Sequence, residues 1–225
     1  MEKVTAMDIF GQAILDRSCG IQEPLYFIVK GNKEEKNLTR YLRKISELNI
    51  LEKKLIDLAY GDILDVGCGT GNYIQKLKEQ GNVIGIDISK EVIKVAHKLG
   101  NKECIQANIF NYNSKTKFDT ITFLENNFGM ATTKEQINKL ITKLGELLKP
   151  NGQTLLIQRD IKKPEFVVNT ITVEYKGKKA DFEWAHFSKK YLKKRFEKAG
   201  LIFNEVSREI LDDQQDWYLA KLTMI

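Results

Sequence analysis

A glycine-rich segment with two flanking acids is the part of this sequence best suited to hold a ligand. Gly67, Gly69 and Gly71 alternate with other residues directly after an apolar run, and Asp65 lies two positions before the first of them. Asp87 ends the next apolar run, 20 residues after Gly67. Glycines let a loop backbone approach a ligand closely, and carboxylates accept hydrogen bonds from ammonium and hydroxyl groups. The pattern therefore predicts a site for a ligand that carries both groups.

The spacing within this segment separates two kinds of cofactor. In dinucleotide-binding folds the last glycine usually falls three residues after the second, where the helix approaches a pyrophosphate. Here Gly71 falls only two residues after Gly69. S-adenosylmethionine has no phosphate, but it carries an ammonium that Asp65 can attract, directly or through water, and a ribose diol that Asp87 can bind. The segment therefore favours S-adenosylmethionine, with S-adenosylhomocysteine as its product, over a dinucleotide or a turn that binds nothing.

Short apolar runs alternate with helical patterns on both sides of this segment. Such alternation predicts a parallel sheet that is covered by helices on both faces. Ser89 is placed to cap a helix that ends at Gly100, and Ser188 is placed to cap another that ends at Gly200. Apolar residues at helical spacing between 137 and 148 predict a further helix. The predicted strands are 63–66, 83–88, 104–107, 120–124, 154–158, 201–210 and 217–224, the last two being antiparallel neighbours.

Two further segments lie outside this alternation. Apolar residues at helical spacing from 37 to 59 predict two helices ahead of the first strand. Alternating residues between 165 and 187, with a turn around Gly177, predict a hairpin inserted over the sheet edge. We therefore expect a single domain of the α/β class. It comprises a doubly wound, Rossmann-like, seven-stranded mixed sheet (60–161 and 188–225), an N-terminal helical cap (1–59) and an inserted β-hairpin or lid (162–187).

Residues 61–160 resemble the class I S-adenosylmethionine-dependent methyltransferases of the small-molecule type. The resemblance rests on the glycine segment, on Asp87, and on residues 106–110 and 148–152. It implies transfer of a methyl group from S-adenosylmethionine to an oxygen or nitrogen atom of a small-molecule acceptor. The family usually has an aspartate that accepts from the adenine amino group, whereas this sequence has Asn108, whose neutral carbonyl is a weaker acceptor. The cofactor residues that the resemblance implies are Asp65, Gly67, Cys68, Gly69, Thr70, Gly71, Asp87, Ile88, Asn108, Ile109, Phe110, Glu125 and Asn126.

The acceptor site is expected at the end of the fourth predicted strand and in two flanking segments. The resembled family places residues that face both cofactor and substrate after this strand, here residues 125–128. It also closes the site with N-terminal residues and often with an inserted lid. An alcohol would benefit from a general base, whereas an amine need only arrive unprotonated. We expect Glu125 and His186 as catalytic groups, and a substrate site formed by Tyr26, Tyr41, Asn127, Phe128, Trp184 and His186.

Structural roles compete with several of these assignments. Tyr41 fits the apolar stripe of a predicted helix, and Trp184 fits a residue that packs the hairpin onto the sheet. His186 fits an anchor for the same hairpin, and Glu125 fits a solvated strand end. The other histidine, His97, is expected on the surface of its helix. The sequence leaves these alternatives open.

Composition leaves two rival functions open. The chain has 36 basic and 30 acidic residues, a net charge of +6, which permits nucleic acid as a partner without requiring it. A basic strip with aromatic neighbours, residues 176–195, fits an RNA methyltransferase. Against this, the sequence has no separate RNA-binding domain and lacks the amino-methylating tetrad after the fourth strand. The second rival is a catalytically silent partner protein that binds S-adenosylmethionine, since a fold alone does not establish catalysis.

The cysteines and the N-terminal residues bear on whether the protein has disulfides, a metal site, a secretory signal or a membrane span. The three cysteines, Cys19, Cys68 and Cys104, include no close pair, so they fit neither a disulfide framework nor a zinc site. We therefore expect no metal. The first ten residues include acids and no long apolar run, which predicts neither a secretory signal nor a membrane span. The expectation is a cytoplasmic monomer or homodimer that has no membrane partner.

Overall fold

The computed structural model describes residues 4–42, 48–163, 165–211 and 213–224. Its helices are α1 (Ala6–Ser18), α2 (Ile50–Leu58), α3 (Ile74–Leu77), α4 (Lys90–Lys98), α5 (Lys134–Leu147) and α6 (Lys189–Lys198). Its strands are β1 (Tyr26–Val29), β2 (Asn32–Glu35), β3 (Gly61–Val66), β4 (Gly81–Asp87), β5 (Cys104–Gln106), β6 (Phe118–Phe123), β7 (Leu148–Arg159), β8 (Phe166–Tyr175), β9 (Lys178–Phe187), β10 (Leu201–Ile210) and β11 (Asp216–Met224). Over these ranges, the helices are too short or too polar to cross a bilayer.

Local sequence signals set the ends of two helices as predicted. The Ser89 hydroxyl accepts a hydrogen bond from the third residue of α4, and the Ser188 hydroxyl does the same for α6. Both helices are followed by a glycine in the left-handed region, Gly100 with a φ of 91° and Gly200 with a φ of 81°. These side-chain oxygens satisfy backbone donors that a helix start leaves unpaired, and the glycines stop each helix without strain.

Seven strands form the main sheet in the order β10-β11-β7-β6-β3-β4-β5. The strands from β7 to β5 run parallel, and β11 pairs antiparallel with both β7 and β10. This confirms the predicted seven-stranded mixed sheet. Because β3 lies between β4 and β6, the chain leaves β3 on one side and later returns on the other. Such a switch opens a crevice at the carboxyl ends of the strands, where open α/β sheets bind ligands.

Helices bury an apolar layer on each face of this sheet. On one face Leu140 and Leu144 of α5 pack with Phe196 of α6 in a continuous core. On the other face Leu51 and Leu55 of α2 pack into a separate core with residues of α3, α4, β3 and β4. Burial of apolar surface on both faces stabilises the layered arrangement, which is the doubly wound architecture expected from the sequence.

The N-terminal segment contains a hairpin that the sequence analysis did not predict. Residues 26–29 and 32–35 form β1 and β2, joined by Lys30 and Gly31 with φ values of 50° and 82°. Two successive left-handed residues form the tight turn that suits the twist of a hairpin, so the N-terminal cap (1–59), which was expected to be helical, also contains two strands. The first of the two helices predicted from residue 37 begins as a 3-10 turn, Leu38–Leu42, and the rest of it lies outside the described residues.

The N-terminal hairpin and the predicted inserted hairpin join in a second sheet. Its strand order is β2-β1-β8-β9, and Tyr26 of β1 pairs with Glu174 of β8. The helix α1 packs beneath it, with Ile9 and Ile14 in one apolar cluster with Val173 of β8. The predicted lid is therefore half of a four-stranded layer, and the N-terminal segment supplies the other half.

Candidate functional site

One cavity joins the glycine segment to the second sheet. Its volume is about 520 Å³, within the range of small-molecule sites. Residues at the carboxyl ends of β3, β4 and β6 line one side, and residues of α1, β1, β8 and β9 line the other. The predicted cofactor residues in its wall are Gly67, Cys68, Gly69, Thr70, Asp87, Ile88, Asn108, Ile109, Phe110 and Glu125. The fold thus brings together residues that are 58 positions apart or less at one end of the sheet.

The backbone of the glycine segment turns sharply at the end of β3. The N–H groups of Gly67 and Cys68 both donate to the carbonyl of Ile86, at 2.8 and 3.0 Å. Gly67 has a φ of 75°, and a Cβ atom there would lie 2.5 Å from the side-chain nitrogen of Asn127. That nitrogen donates to the carbonyls of Val66 and Gly67, at 3.1 and 3.0 Å. A side chain at position 67 would therefore break the contact that ties the end of β6 to the loop.

Asp87 lies in the cavity wall with both carboxylate oxygens held by the backbone. The Gly69 N–H donates to Oδ2 at 3.0 Å, and the Ser89 N–H donates to Oδ1 at 2.9 Å. Burial raises the pKa of Asp87 above its usual range, although these two hydrogen bonds act in the opposite direction. Each carboxylate oxygen can accept a further hydrogen bond, so one acceptor remains on each of them. This arrangement suits a pair of ribose hydroxyls.

Asp65 lies inside the sheet, behind the loop, and not in the cavity wall. The Thr122 hydroxyl donates to its Oδ1 at 2.8 Å. Its Oδ2 is buried and has no hydrogen-bond partner within the described residues. Burial and the neighbouring Asp87 raise the pKa of Asp65 to about 7. Asp65 therefore makes no direct contact with the cavity, and its buried Oδ2 is left without a hydrogen-bond partner among the described residues.

The segment after β5 provides the apolar walls expected around an adenine. Asn108 Oδ1 accepts a hydrogen bond from the Phe110 N–H at 3.0 Å and so starts a short 3-10 turn. One lone pair of this oxygen stays available, since a carbonyl oxygen can accept two hydrogen bonds. Ile88 lines the same cavity and is 51% exposed.

Gly71 was predicted as a cofactor residue but lies outside the cavity wall. A Cβ atom there would lie 2.4 Å from the side-chain nitrogen of Asn101, which donates to the carbonyls of Thr70 and Gly71 at 2.9 and 3.2 Å. Gly71 also has a φ of 82°. Its role is therefore to let Asn101 support the loop from behind.

The N-terminal segment is fastened to the loop by two side chains. The Thr70 hydroxyl donates to the carbonyl of Tyr41, and the Asn72 side-chain nitrogen donates to the carbonyl of Arg40 at 3.2 Å. Tyr41 lines the cavity as predicted for a substrate residue. Burial and the nearby Glu125 raise the pKa of Tyr41 to about 12, so its hydroxyl keeps its proton near neutral pH.

Glu125 and Asn127 follow β6 and lie in the cavity wall. Glu125 has a φ of 49°, in the left-handed region that non-glycine residues seldom adopt. Its Oε1 accepts a hydrogen bond from the Tyr73 hydroxyl at 2.8 Å and lies 3.4 Å from the Arg40 guanidinium. Strained backbone of this kind often occurs at functional sites because surrounding contacts hold the side chain in place.

Asn126 and Phe128 were predicted at the cofactor and substrate sites, but both are buried in the protein. Asn126 Oδ1 accepts from the Gln158 side chain and from the Arg159 N–H, and its Nδ2 donates to the Ala185 carbonyl at 3.5 Å. Asn126 also has a left-handed backbone, with a φ of 64°. Phe128 packs edge-on against Phe rings of the main core. The left-handed turn at 125–126 therefore directs successive side chains to different sides of the backbone. The sequence pattern alone did not predict which of these side chains face the cavity and which are buried.

Of the three substrate residues predicted within the second sheet, one lines the large cavity and two lie outside its wall. Trp184 lines the cavity and lies directly over Gly129, where a Cβ atom would be 2.4 Å from the indole nitrogen. Tyr26 lies outside the wall, with the Lys33 ammonium 4.0 Å from its ring centroid. His186 lines a different, polar cavity beside Arg159. Two residues along a strand cover about 6.6 Å, enough to carry His186 past the Trp184 site. His186 therefore lies outside the cavity that the glycine segment and Trp184 line.

We expect that replacing His186 with glutamine flattens the pH dependence of stability between about pH 4 and 6.5. Burial and the nearby Arg159 lower the pKa of His186 from 6.5 to about 4. Within this window the unfolded chain binds a proton that the folded chain rejects, so stability is full above pH 6.5 and declines toward pH 4. Urea unfolding midpoints of both proteins across this range provide the measurement. Equal slopes for the two proteins would contradict the expectation.

Several cavity residues were missed by the sequence analysis. The helix α1 contributes an apolar face, and its start carries a sequence signal, the Thr5 and Asp8 capping box. Capping predicts the helix but not the surface that its apolar face covers. The cavity residues not predicted include Met7, Phe10, Ile14, Tyr73, Ser89, Met130 and Ile171.

Four of the eight basic residues in the strip at 176–195 form ion pairs with acids. Lys176 pairs with Asp16 at 2.6 Å, and Lys179 pairs with Glu174 at 3.1 Å. Lys189 pairs with Glu205 at 2.6 Å in the same strip. These cations lie on a hairpin turn and a helix start, and their ion pairs reduce the field that a phosphate backbone would meet. In the described part of the chain, no group of three or more potential metal ligands comes together.

Comparisons with known proteins agree with this geometry. A family model described as a methyltransferase domain matches residues 63–152. An uncharacterized protein of Methanocaldococcus jannaschii is 30% identical over 59% of this chain and 49% of its own length. A ubiquinone biosynthesis O-methyltransferase of Rickettsia conorii is 28% identical over 55% of this chain and 44% of its own length. The chain thus spans about half the length of the curated relatives it matches.

Solved structures resemble a larger part of the chain. A SAM-dependent methyltransferase from Bacteroides fragilis, in complex with S-adenosyl-L-homocysteine, is 25% identical with a TM-score of 0.86, covering 99% of this chain and 97% of its own. An S-adenosylmethionine-dependent methyltransferase from Clostridium acetobutylicum is 16% identical with a TM-score of 0.58, covering 80% and 93%, and shows likeness of fold alone. The resemblance stated from the sequence is thereby confirmed. The methyltransferase-domain match over residues 63–152, the glycine segment, the sheet order and these likenesses support a class I S-adenosylmethionine-dependent methyltransferase.

Proposed function

We propose that this chain binds S-adenosylmethionine in the large cavity and transfers its methyl group to an oxygen or nitrogen atom of a small-molecule acceptor. The observation that carries the proposal is the continuity of that cavity, which runs from the glycine segment and Asp87 to the aromatic residues beneath the second sheet. A donor and an acceptor can therefore lie in one enclosed space. The chain would act in the cytoplasm as a monomer or homodimer.

The cofactor half of the cavity fits the chemical groups of S-adenosylmethionine. The two remaining acceptors of Asp87 would receive the ribose hydroxyls, and the unsatisfied oxygen of Asp65 would attract the ammonium through water. Ile88, Ile109 and Phe110 would hold the adenine between apolar surfaces. These assignments use groups whose hydrogen bonds within the chain are incomplete or whose apolar surface is exposed.

The acceptor half of the cavity is apolar and rich in aromatic rings. Phe10, Phe27, Tyr41, Phe182 and Trp184 line it, and Phe10 meets Tyr41 edge-on with ring centroids 5.1 Å apart. Such a lining favours a flat, apolar acceptor over a polymer or a highly charged molecule. The relative from Rickettsia conorii is a ubiquinone biosynthesis O-methyltransferase, which supports an oxygen atom as the methyl acceptor.

Methyl transfer requires the protein to align the two reactants more than it requires acid or base catalysis. The bound cofactor supplies the methyl group on a sulfonium that leaves as a neutral thioether. The chain's own residues would align the nucleophile with that methyl group, a contribution worth about 7 to 11 kcal/mol in well-oriented reactions. The second sheet and α1 would exclude water from the space between them. Glu125, the only carboxylate that follows β6 directly, is the proposed catalytic group of this chain.

The proposal is tested by incubating the protein with methyl-labelled S-adenosylmethionine and a panel of flat phenols, catechols and amines. We expect label in one small-molecule class, with formation of one S-adenosylhomocysteine for each methyl transferred. Asp87→Ala serves as the binding-deficient control. Tight S-adenosylhomocysteine binding without labelling of any acceptor would identify a silent binding protein and contradict the transferase. Label that appears only in added RNA would favour the RNA methyltransferase.

A further inference from the structure

The polar cavity that His186 lines is separate from the large cavity. Its volume is about 570 Å³, which is enough for a small molecule, and within the described ranges the two walls share no residue. The ends of β7 and β9 meet there with the first half of β8 and the start of β11. The polar residues of its wall include Arg159, Asp160, Lys163, Asn169, His186 and Asp216.

Arg159, the last residue of β7, has no acid as a direct partner in the described part of the chain. Its Nε atom is buried without a hydrogen bond there, whereas its two terminal nitrogens are not buried. The nearby Asp213 acts on Arg159 only through its field, since both of its carboxylate oxygens accept the Trp217 indole N–H, at 3.1 and 3.2 Å. A guanidinium stays protonated in proteins, so this cation is partly desolvated and lacks a counter-ion in contact with it.

The two acids in the wall are held by other cations. Arg208, which is not part of the wall, contacts Asp216 at 2.6 Å and Asp160 at 3.1 Å. Lys162 of the wall also pairs with Asp216, at 2.7 Å. Lys163 lies exposed beside it. Among the described residues the wall therefore contains three cations and two acids, and both acids are already paired.

The amide of Asn126 fixes which nitrogen of His186 carries a hydrogen. The Gln158 side chain and the Arg159 N–H both donate to Oδ1 of Asn126, so the other end of this amide is its NH₂ group. That group lies 3.5 Å from Nδ1 of His186. Burial and the nearby Arg159 lower the pKa of His186 to about 4, so its ring is neutral at pH 7 and has a single N–H. Nδ1 is the acceptor for Asn126, and the hydrogen of His186 therefore lies on Nε2.

We propose that this polar cavity binds the carboxylate or phosphate group of a small anion. The Arg159 guanidinium, the Lys163 ammonium and the Nε2–H of His186 are donors, whereas an ionised oxyanion offers only acceptors. A guanidinium matches the shape of both groups, and its charge-assisted hydrogen bonds are about twice as strong as neutral ones. The Asn169 amide adds a further donor from β8. This site is independent of the proposed methyl transfer, because the two cavities have separate walls.

An anion bound here should raise the pKa of His186 from about 4 toward its ordinary value of 6.5. The Arg159 cation destabilises a second positive charge on the ring, and an anion between the two groups would offset that effect and stabilise the imidazolium. Because proton and anion binding are linked, the anion should in turn bind more tightly as the pH falls. The ring of His186 therefore reports on occupancy of the cavity.

NMR spectroscopy of the full chain tests the site. The chain has two histidines, and His97 of α4 provides an internal reference because it lines neither cavity. Inorganic phosphate, succinate and chloride are added separately at pH 7 and equal ionic strength. We expect the His186 ring signals to shift in a saturable way with phosphate, succinate or both, and those of His97 to stay unchanged. A response to phosphate alone would identify a phosphate ligand, and a response to succinate alone a carboxylate.

Variants test whether the named cations hold the anion. Arg159→Gln should weaken its binding about tenfold or more, because the guanidinium supplies the charge-assisted hydrogen bonds. Lys163→Gln changes an exposed side chain, which the fold tolerates, and should weaken binding to a smaller extent. Lys190→Gln is the matched control: it removes one positive charge from an exposed position of α6, outside the cavity, and should bind the anion as the wild type does.

Two results would overturn the site. One is the same response of His186 to phosphate, succinate and chloride in the wild type, a comparison that needs no variant to fold. The other is unchanged anion binding in Arg159→Gln. Calorimetric binding of S-adenosylhomocysteine to the same proteins shows that each variant is folded and tests the proposed function separately. Loss of that binding in the wild type would reject the proposed function while leaving the result for the polar cavity valid.

Discussion

Replacing Asp87 with alanine should weaken S-adenosylhomocysteine binding about 100-fold or more. Two charge-assisted hydrogen bonds to ribose hydroxyls would be lost, each worth about 1.5 kcal/mol or more, and 1.4 kcal/mol is a tenfold change in affinity. The loop should also loosen, since the N–H groups of Gly69 and Ser89 lose their acceptor. Titration calorimetry measures the affinity, and thermal unfolding without ligand separates the effect on the loop.

Two further variants sharpen this result. Asp87→Asn keeps one acceptor oxygen and should lose less affinity than Asp87→Ala. Asp57→Ala removes an exposed acid from α2, outside the cavity, and should bind like the wild type. If Asp87→Ala bound S-adenosylhomocysteine as tightly as the wild type does, the ribose would have to lie elsewhere.

Replacing Gly129 with alanine should displace β9 and strongly reduce methyl transfer. The new Cβ atom would lie 2.4 Å from the Trp184 indole nitrogen and 2.5 Å from the Ala185 carbonyl oxygen. A backbone oxygen cannot move aside as a flexible side chain can, so the strand itself has to shift. Overpacking of this kind costs about 1 to 3 kcal/mol. Cofactor affinity should change less, because the glycine segment and Asp87 belong to the other sheet.

Gly145→Ala is the matched control for this change. A Cβ atom at position 145 meets its nearest neighbour at 3.9 Å, and the residue lies in the interior of α5. Alanine there should raise stability by about 0.5 to 1 kcal/mol. Trp184 fluorescence, urea unfolding and the labelled-methyl assay compare the two variants. An unchanged fluorescence spectrum and stability in Gly129→Ala would show that the close contact with Trp184 does not form in solution.

The cofactor half of the site was accessible from the sequence because it is built from short-range signals. The glycine segment and Asp87 each end a strand of the same parallel sheet, so the rule that strand ends meet at one edge places them together. Ser89, Gly100, Ser188 and Gly200 mark helix ends by their own backbone chemistry. These signals depend on neighbours a few residues away, and no long-range packing has to be known.

The acceptor half was less accessible because its geometry depends on backbone turns and distant pairing. The left-handed conformations of Glu125 and Asn126 turn one side chain into the cavity and the other into the protein. No sequence period describes such a turn. His186 and Trp184 are two residues apart on β9 and so face the same side of the strand, yet they line different cavities. Tyr73 drew no prediction, because Glu125, to which its hydroxyl donates, comes from a separate element.

The pairing of β1 with β8 has a consequence for the order in which the molecule assembles and opens. It joins parts of the chain about 150 residues apart. Closing so long a loop lowers the conformational entropy of the chain before the contacts between the two strands can form and stabilise them. The main sheet, built from successive neighbouring units, has no such requirement for most of its strands. The four-stranded layer should therefore fold late and detach first, as one unit. Such a local opening would let reactants exchange while the seven-stranded sheet stays intact.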